Sequence, residues 1–330
     1  MTRTMRLSHE HRLFVAALAL SLTLVACSGT SKDTVVSDGT ESTPAVTAGG
    51  TESPTPVSSV SGSAPVVSSS YEDGESAYAQ GRFGDARAIF EAYVTTRPEN
   101  SFGHYMLGLA AWKSGDFARA AQALERSIAL DSTNPRGHVN LARVYIDLGR
   151  QHEALEEAHK ALVLDSTSSD ARRVIARAFQ AQGEVDSAIS AYQQALAIDD
   201  RDVWSMNNLG VLYLDEGNPE LALAPLARAV QLRGTAPVFQ NNLGMALERT
   251  GHLVLAKQAY EAALASDSSY SKATVNRDRV TALVVDSTDT FSVDEQAEGF
   301  RIQIGMWKDN LPRPIETDTV TAMVPDSIKQ

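Results

Sequence analysis

The chain has 330 residues, of which 43% are hydrophobic, and its formal net charge is −12. A strongly acidic surface repels nucleic acid and anionic lipid headgroups, so nucleic-acid binding is disfavoured. The sequence contains no glycine-rich phosphate loop, no HExxH metal motif and no nucleophile elbow, and its single cysteine cannot form an internal disulfide. These features predict a protein that is not an enzyme and that uses no cofactor and no metal.

Residues 1–26 have the pattern of a secretory signal peptide. Arg3, Arg6 and Arg12 precede an uncharged apolar run from Leu13 to Val25. This run is too short to span a bilayer comfortably as a permanent helix. A basic start followed by a short apolar run is typical of a secretory signal.

The end of the apolar run, Leu24-Val25-Ala26-Cys27, resembles the bacterial lipobox. The resemblance implies cleavage before Cys27, attachment of lipid to its thiol, with palmitate among the acyl groups, and firm anchoring by several acyl chains. Ser28 stands where aspartate would signal retention in the inner membrane. The resemblance therefore favours the outer membrane, facing the periplasm, in an organism with two membranes. The alternative is an ordinary buried cysteine or a free thiol without a role.

Residues 27–66 are predicted to be a disordered tether. The segment consists mainly of Ser, Thr, Pro, Gly and Val, and it shows no helical periodicity. Such a composition cannot bury enough apolar surface to offset the entropy lost on ordering. A flexible chain of about forty residues has an r.m.s. span of roughly 35 Å. We therefore expect the tether to hold the rest of the protein near a membrane.

A 34-residue unit recurs six times over residues 67–270. Glycine stands at column 15 of every unit, and alanine follows at column 20. The two columns are Gly81, Gly115, Gly149, Gly183, Gly217 and Gly251, and Ala86, Ala120, Ala154, Ala188, Ala222 and Ala256. Apolar or small residues also recur at columns 7, 8 and 11 and at columns 24 and 28, which gives one apolar stripe on each of two helices. Each unit is predicted to be a helix, a tight turn at glycine and a second helix.

These columns resemble the tetratricopeptide repeat family. The resemblance implies an all-α fold, a right-handed α-solenoid of six helix-turn-helix repeats. The predicted units are 67–100, 101–134, 135–168, 169–202, 203–236 and 237–270. Two features depart from the family pattern: column 4 lacks tryptophan, and the proline of column 32 remains only as Pro98. The first unit is the most divergent, because Asp73 occupies its core column 7.

Beyond the repeats, a capping helix is predicted over residues 271–285, where Ala273 and Val280 share one face. Residues 286–330 contain no further repeat and are predicted to be a mostly disordered tail. Within them, Phe300–Ile304 alternates like a strand, although an isolated strand would have no partner. The alternative is a segment that folds on a partner or back onto the repeats.

The resemblance implies that the first helix of each unit lines a concave groove that holds a protein or peptide. The predicted groove residues are Tyr105, Trp112, Arg136, Asn140, Arg143, Arg173, Arg177, Asn207, Asn208, Asn241 and Asn242. Asn140, Asn208 and Asn242 share column 6, and a side-chain amide can both donate to and accept from a peptide backbone. The row resembles the asparagine ladder of the repeat domain of O-linked N-acetylglucosamine transferases, whose catalytic domain is absent here. The alternative is that these amides cap or bridge adjacent helices.

The four arginines of this set form a basic cluster in an acidic protein. Guanidinium groups bind carboxylates in fork geometry, so the cluster is a candidate site for an acidic segment or a chain terminus. Only Asn208 matches the carboxylate clamp of chaperone-binding family members, so that specific partner is not predicted. The alternative is that the arginines pair with nearby acids such as Asp147 and Asp170.

The sequence as a whole predicts a non-enzymatic, lipid-anchored scaffold for protein interactions. The order of lipidated cysteine, tether and six repeats looks like that of the lipoprotein pilotins, which assist assembly of type IV pili and secretion pores. The likeness is one of architecture and does not identify a partner or an oligomeric state. The alternative is an accessory factor of enzymes that maintain the cell wall or envelope.

Overall fold

The computed structural model describes residues 70–283 and 290–310. The predicted signal peptide, Cys27 and the tether lie outside these residues. The described residues form fourteen α-helices and no strand. The first twelve are α1 (Tyr71–Ala79), α2 (Phe83–Thr96), α3 (Ser101–Lys113), α4 (Phe117–Leu130), α5 (Pro135–Asp147), α6 (Gln151–Leu164), α7 (Ser169–Gln182), α8 (Val185–Ile198), α9 (Val203–Asp215), α10 (Pro219–Leu232), α11 (Pro237–Arg249) and α12 (Leu253–Ser266). None of the described helices is long and apolar enough to cross a membrane.

The twelve helices pack as six antiparallel pairs, one for each 34-residue unit. Each second helix also packs against the first helix of the next unit. This serial contact between neighbours buries the apolar stripe that one pair alone would expose. The all-α solenoid of helix pairs that the resemblance implied is therefore confirmed.

Glycine ends the first helix of every unit in a left-handed conformation. The six column-15 glycines have φ between +74° and +87°, a range that side-chain-bearing residues rarely adopt. Helix starts are fixed by caps in the connecting segments: Asn134 accepts a hydrogen bond from the Arg136 amide, and Ser168 accepts one from Ala171. The turns and caps therefore place each pair at the same point of the 34-residue period.

Small residues at columns 8 and 20 allow the two helices of a pair to approach closely. A Cβ atom at Gly108 would lie 2.5 Å from Cγ of Leu124, so no larger residue fits without movement. The six column-20 alanines are completely buried. Asp73, which occupies core column 7 of the first unit, is exposed near the start of α1. Among the described residues no repeat precedes α1 that could cover it.

The predicted capping helix corresponds to α13 (Ser271–Thr281), which packs against α11 and α12. Ala273 and Val280 are buried on its inner face, as their spacing predicted. Val275 remains exposed on its outer side. This outer side ends the stack of repeats toward solvent.

The tail differs from its prediction, because residues 293–309 form a helix, α14 (Val293–Asp309), that packs on α8 and α10. The disorder and the strand-like alternation predicted for this segment are wrong there, while residues 286–289 and 311–330 lie outside the described residues. Ala297, Phe300 and Ile304 are buried in the contact. Their spacing is helical, and burial against the repeats supplies the stabilisation that an isolated segment lacks.

Two columns of the repeats that are not buried in the other units become buried where α14 covers them. At column 29, Val163 of the third unit is 87% exposed, whereas Ala197 of the fourth unit is only 2% exposed. Column 25 is polar in the other units, whereas the fifth has buried Ala227. Small residues at these two positions leave room for α14 on the outer side of α8 and α10.

Candidate partner-binding face

The candidate site is the surface formed by α1, α3, α5, α7, α9, α11 and α13, here called the first-helix face. Consecutive members of this set contact one another along most of the array. All the groove residues predicted from the sequence lie on these helices. The face therefore brings together side chains that are about 34 residues apart in the sequence.

A buried ion pair joins α7 to the start of α9. Nη1 of Arg173 donates to Oδ2 of Asp202 at 2.7 Å, and both side chains are buried. Nη2 of Arg173 also bonds Oδ1 of Asp170 on its own helix. Asp202 in turn caps α9, accepting from the backbone amides of Trp204 and Ser205. A guanidinium and a carboxylate that satisfy each other in this way can remain charged inside the protein.

A second set of contacts joins α3, α5 and α7. Nε1 of Trp112 donates to Oδ2 of Asp147 at 2.6 Å, and Nη2 of the buried Arg177 lies 3.7 Å from Oδ1 of the same carboxylate. Nη2 of the largely buried Arg143 lies 3.5 Å from Oδ1 of Asp170. Three of the four predicted arginines are thus paired with aspartates of the same face. This is the pairing that stood as the alternative to an anion-binding cluster.

Tyr105, Asn140 and Arg143 continue this arrangement toward the first repeats. Nη1 of Arg143 donates to Oδ1 of Asn140 at 3.0 Å, and Nδ2 of Asn140 donates to the hydroxyl of Tyr105 at 2.8 Å. Burial raises the pKa of the Tyr105 hydroxyl despite the opposing charges of Arg143 and Arg136, so the phenol is neutral and keeps its proton.

The remaining predicted asparagines form a continuous chain of amide hydrogen bonds across α13, α11 and α9. Asn276 donates to Asn241 at 2.9 Å, Asn241 to Asn242 at 3.4 Å, Asn242 to Asn207 at 2.8 Å, and Asn207 to Asn208 at 3.3 Å. Each step uses one N–H and one carbonyl lone pair, so every amide retains further capacity. The amides therefore bridge adjacent helices, the alternative role that the sequence left open.

An aromatic cluster lies at the start of the face. The ring of Phe102 stacks on Tyr105 with centroids 5.7 Å apart and lies 5.6 Å from the ring of Tyr71. Phe102 is 49% exposed although its ring has partners on two sides. Arg136 is exposed on the next first helix. These residues present an aromatic surface, and the charge of Arg136 acts on its Tyr105 hydroxyl.

A shallow cleft of about 330 Å³ lies at the other end, between α11 and α13. Met245, Glu248, Arg249, Asn276 and Arg279 line it. Nε and Nη2 of Arg279 each donate to a carboxylate oxygen of Glu248 at 2.7 Å. Burial would raise the pKa of Glu248, but the hydrogen bonds from Arg279 and Tyr260 hold it below its ordinary value. The cleft is thus polar, with Glu248 paired to Arg279 and Arg249 bonded to the backbone oxygen of Leu214.

Metal chemistry has no support in this part of the chain. The described residues contain no group of three or more His, Cys, Asp or Glu side chains that could hold a metal ion. The buried His138 is hydrogen-bonded to Glu157, with Nδ1 2.7 Å from Oε2. The histidine therefore serves the packing between α5 and α6.

Three residues of the site were missed by the sequence analysis: Phe102, Asp202 and Asn276. Asn276 lies 34 residues after Asn242, so extending column 6 into the capping helix would have found it. Phe102 stands in column 2, which also holds Arg136. Asp202 carried no signal beyond its ability to cap a helix, because its pairing with an arginine depends on contacts between units.

Sequence models of the tetratricopeptide repeat match residues 71–135, 105–171 and 207–271, and a further model of the repeat matches residues 176–217. Together these matches cover more than half of the chain. No curated protein is significantly similar to the chain in sequence.

Several solved structures share the fold. A tetratricopeptide repeat protein of Thermus thermophilus is 21% identical with a TM-score of 0.50, over 55% of this chain and 99% of its own. One from Parabacteroides merdae is 14% identical with a TM-score of 0.55, over 63% and 81% of the two chains. PilF of Pseudomonas aeruginosa is 19% identical over 66% and 95%, but its TM-score of 0.49 supports no inference about function.

At these identities the structures from Thermus thermophilus and Parabacteroides merdae establish the fold alone. The repeat models, in contrast, match the same units that the helix pairs, the turn glycines and the buried alanines define. The chain therefore belongs to the tetratricopeptide repeat family.

Proposed function

We propose that this protein is a non-enzymatic scaffold that binds a protein or peptide partner on its first-helix face. Membership of the tetratricopeptide repeat family supports a role in protein interactions. The observation that carries the choice of surface is Phe102, a large aromatic side chain that is 49% exposed although it stacks on Tyr105. Aromatic side chains and arginine are enriched in protein interfaces, and both types stand here.

The partner is expected to contact Phe102 and Arg136 more than the buried arginines and asparagines of this face. Arg173 and Arg177 are buried and paired with aspartates, so a guest cannot reach them without breaking those pairs. Arg136 is exposed and can attract a carboxylate directly. The asparagine amides are equally buried and bond one another, so they position the first helices and do not offer an open surface.

We further propose that Cys27 is lipidated and holds the scaffold at the cell envelope, on the periplasmic side of the outer membrane where there are two membranes. The basic start, the apolar run and the lone cysteine after Ala26 support this proposal. Metabolic labelling with a fatty-acid analogue should mark the natural chain and leave Cys27→Ala unlabelled and mislocalised. Labelling of the Cys27→Ala variant would contradict the proposal.

The order of cysteine, tether and repeats supports a role in assembling a pilus or a secretion complex. Chemical crosslinking in intact cells, followed by affinity capture of the lipoprotein from membranes, tests this role. Pilus or pore subunits among the crosslinked proteins would support it. Wall hydrolases or synthases would instead support the accessory factor of envelope maintenance.

The binding surface is tested with the partner that this capture provides. Phe102→Ala combined with Arg136→Glu should weaken binding at least tenfold, because the anchor and its neighbouring cation are both lost. The matched control is Val163→Gln, which changes an apolar side chain that is 87% exposed on α6, away from the first-helix face. Binding that survives the first variant unchanged would place the partner elsewhere. Circular dichroism should show the same helix content in both.

A further inference from the structure

The helix α14 has two apolar faces, and only one of them is used within the chain. Ala297, Phe300 and Ile304 are buried against α8 and α10. Ile302 and Met306 lie one turn apart on the opposite side, and they are 49% and 59% exposed. Neither belongs to the buried core, so a large part of each apolar side chain faces solvent.

Two glycines beside these residues are also unexplained by the fold. Gly299 and Gly305 both lie inside α14, where glycine disfavours the helix. An added Cβ would meet no atom within 4 Å at either position. The packing of this chain therefore does not require glycine at either site. The missing side chains leave the backbone of α14 open to close approach by another helix next to Ile302 and Met306.

The charge around this surface restricts what can cover it. Glu295, Glu298 and Asp309 lie on the same side of α14 as Ile302, by helical spacing, and all three are exposed. Arg301 pairs with Glu298, with Nε 2.9 Å from both carboxylate oxygens, so Glu295 and Asp309 are the carboxylates in excess on this side. Two copies of this face would bring their carboxylates together, which disfavours a second copy as the occupant.

We propose that the outer face of α14, defined by Gly299, Ile302, Gly305 and Met306, docks an amphipathic helix of another protein. The partner helix carries an apolar seam flanked by lysine or arginine. The seam contacts Ile302 and Met306, and the basic residues meet the carboxylates that border them. Because α14 lies on the second helices, this site is separate from the first-helix face, and both can be occupied together.

A probe of this chemistry tests the proposal on the full-length protein. The probe is a synthetic helical peptide of about 18 residues with leucine along one seam and lysine on both sides, labelled for fluorescence anisotropy. Ile302→Gln combined with Met306→Gln should weaken its binding at least tenfold, since the apolar anchors are lost while the charge is kept. The matched control is Val163→Gln with Leu164→Gln, which removes the exposed apolar pair of α6 and should leave binding unchanged.

A steric variant separates docking from general stickiness. Gly299→Leu adds apolar surface and favours the helix, yet it should also weaken binding at least tenfold by blocking close approach. A matched peptide with glutamate in place of lysine should not bind. Amide exchange of residues 293–309 checks that α14 stays in place in every variant.

Three results would overturn the proposal. The first is unchanged binding of the lysine peptide to the double glutamine variant. The second is tighter binding to Gly299→Leu, which would indicate unspecific apolar attraction. The third is self-association of the natural protein, detected by sedimentation velocity and abolished by the double glutamine change, since it would identify a second copy as the occupant.

Discussion

At the level of single residues, packing requires glycine at some positions of this chain and not at others. Gly108 allows two helices to touch: a Cβ atom there would lie 2.5 Å from Cγ of Leu124 and 3.3 Å from the backbone oxygen of Ala120. Gly84, in the first turn of α2, has no atom within 4 Å of the same position. The same residue type is therefore required by packing in one case and not in the other.

This difference predicts opposite effects of alanine. Gly108→Ala should lower the free energy of unfolding by about 1 to 3 kcal/mol, because the backbone of α4 limits how far the contact can relax. Gly84→Ala should be neutral or stabilising by up to about 1 kcal/mol, since alanine favours the helix. Equilibrium unfolding in urea measures both. Equal effects of the two changes would show that the close contact between α3 and α4 is absent.

The buried ion pair predicts a second contrast. Asp202→Ala should destabilise the protein by about 3 to 5 kcal/mol, because it removes the buried partner of Arg173 and the cap of α9. Asp85→Ala should cost less than about 1 kcal/mol, because its pair with Arg82 is exposed on α2. Urea unfolding again compares them. A loss below about 1 kcal/mol for Asp202→Ala would mean that Arg173 is adequately satisfied without it.

At the level of elements, the position of α14 depends on residues of the helix itself and on residues of the repeats that it contacts. Ala297, Phe300, Ile304 and Trp307 follow one another at helical spacing, and Ser292 caps the helix by accepting from the amide of Glu295. On the repeats, column 29 is buried only in the fourth unit and column 25 only in the fifth. The position of α14 is therefore specific to the fourth and fifth units.

A single charge at this contact should release α14. Ala227→Glu places a carboxylate under the helix without a partner, which is unfavourable in a buried site. Glutamate stands in the same column in Glu125 and Glu261, where it is exposed, so the repeats themselves should stay folded. Amide exchange in residues 293–309 should become fast. The control is Ala129→Glu, at an exposed position of α4, and it should leave the exchange of residues 293–309 slow. Slow exchange of these residues in Ala227→Glu would contradict the contact between α10 and α14.

The end of the array depends on pH through Glu248. Its pKa in the folded protein lies below the ordinary value of 4.5, so its bonds to Arg279 and Tyr260 stabilise the protein fully above pH 4.5. This stabilisation is lost as the pH falls from 4.5 through the folded pKa. Urea unfolding should therefore show a steeper loss of stability below pH 4.5 in the natural chain than in Glu248→Gln. Parallel pH curves would contradict the assignment.

At the level of the whole molecule, contacts run almost entirely between neighbouring units, and α14 adds a link between the fourth and fifth. Solenoids of this kind transmit a local change mainly to adjacent repeats. A chain that ends at residue 283 should therefore exchange its amides faster in α8 and α10, while α2 and α4 keep their protection. Equal acceleration throughout would show that α14 stabilises the array as one cooperative unit.

The sequence by itself determined the repeated architecture, because each signal acts within one 34-residue unit. Column 15 needs glycine for a positive φ, columns 8 and 20 need small residues for close helix contact, and connecting residues such as Asn134 cap the next helix. These requirements are local, so their period is visible in the chain. The same period aligned Asn140, Asn208 and Asn242 in one column.

Only the tertiary structure decided what those side chains contact and where α14 lies. The sequence left open whether Arg173 and Arg177 face a guest or pair with nearby acids, and contacts with Asp202 and Asp147 from other units decide for pairing. The segment Phe300–Ile304 fits both a strand and a helix over five residues, and burial against α8 and α10 selects the helix. Both outcomes depend on residues distant in sequence, whose approach is fixed by the stacking of the repeats and not by local pattern.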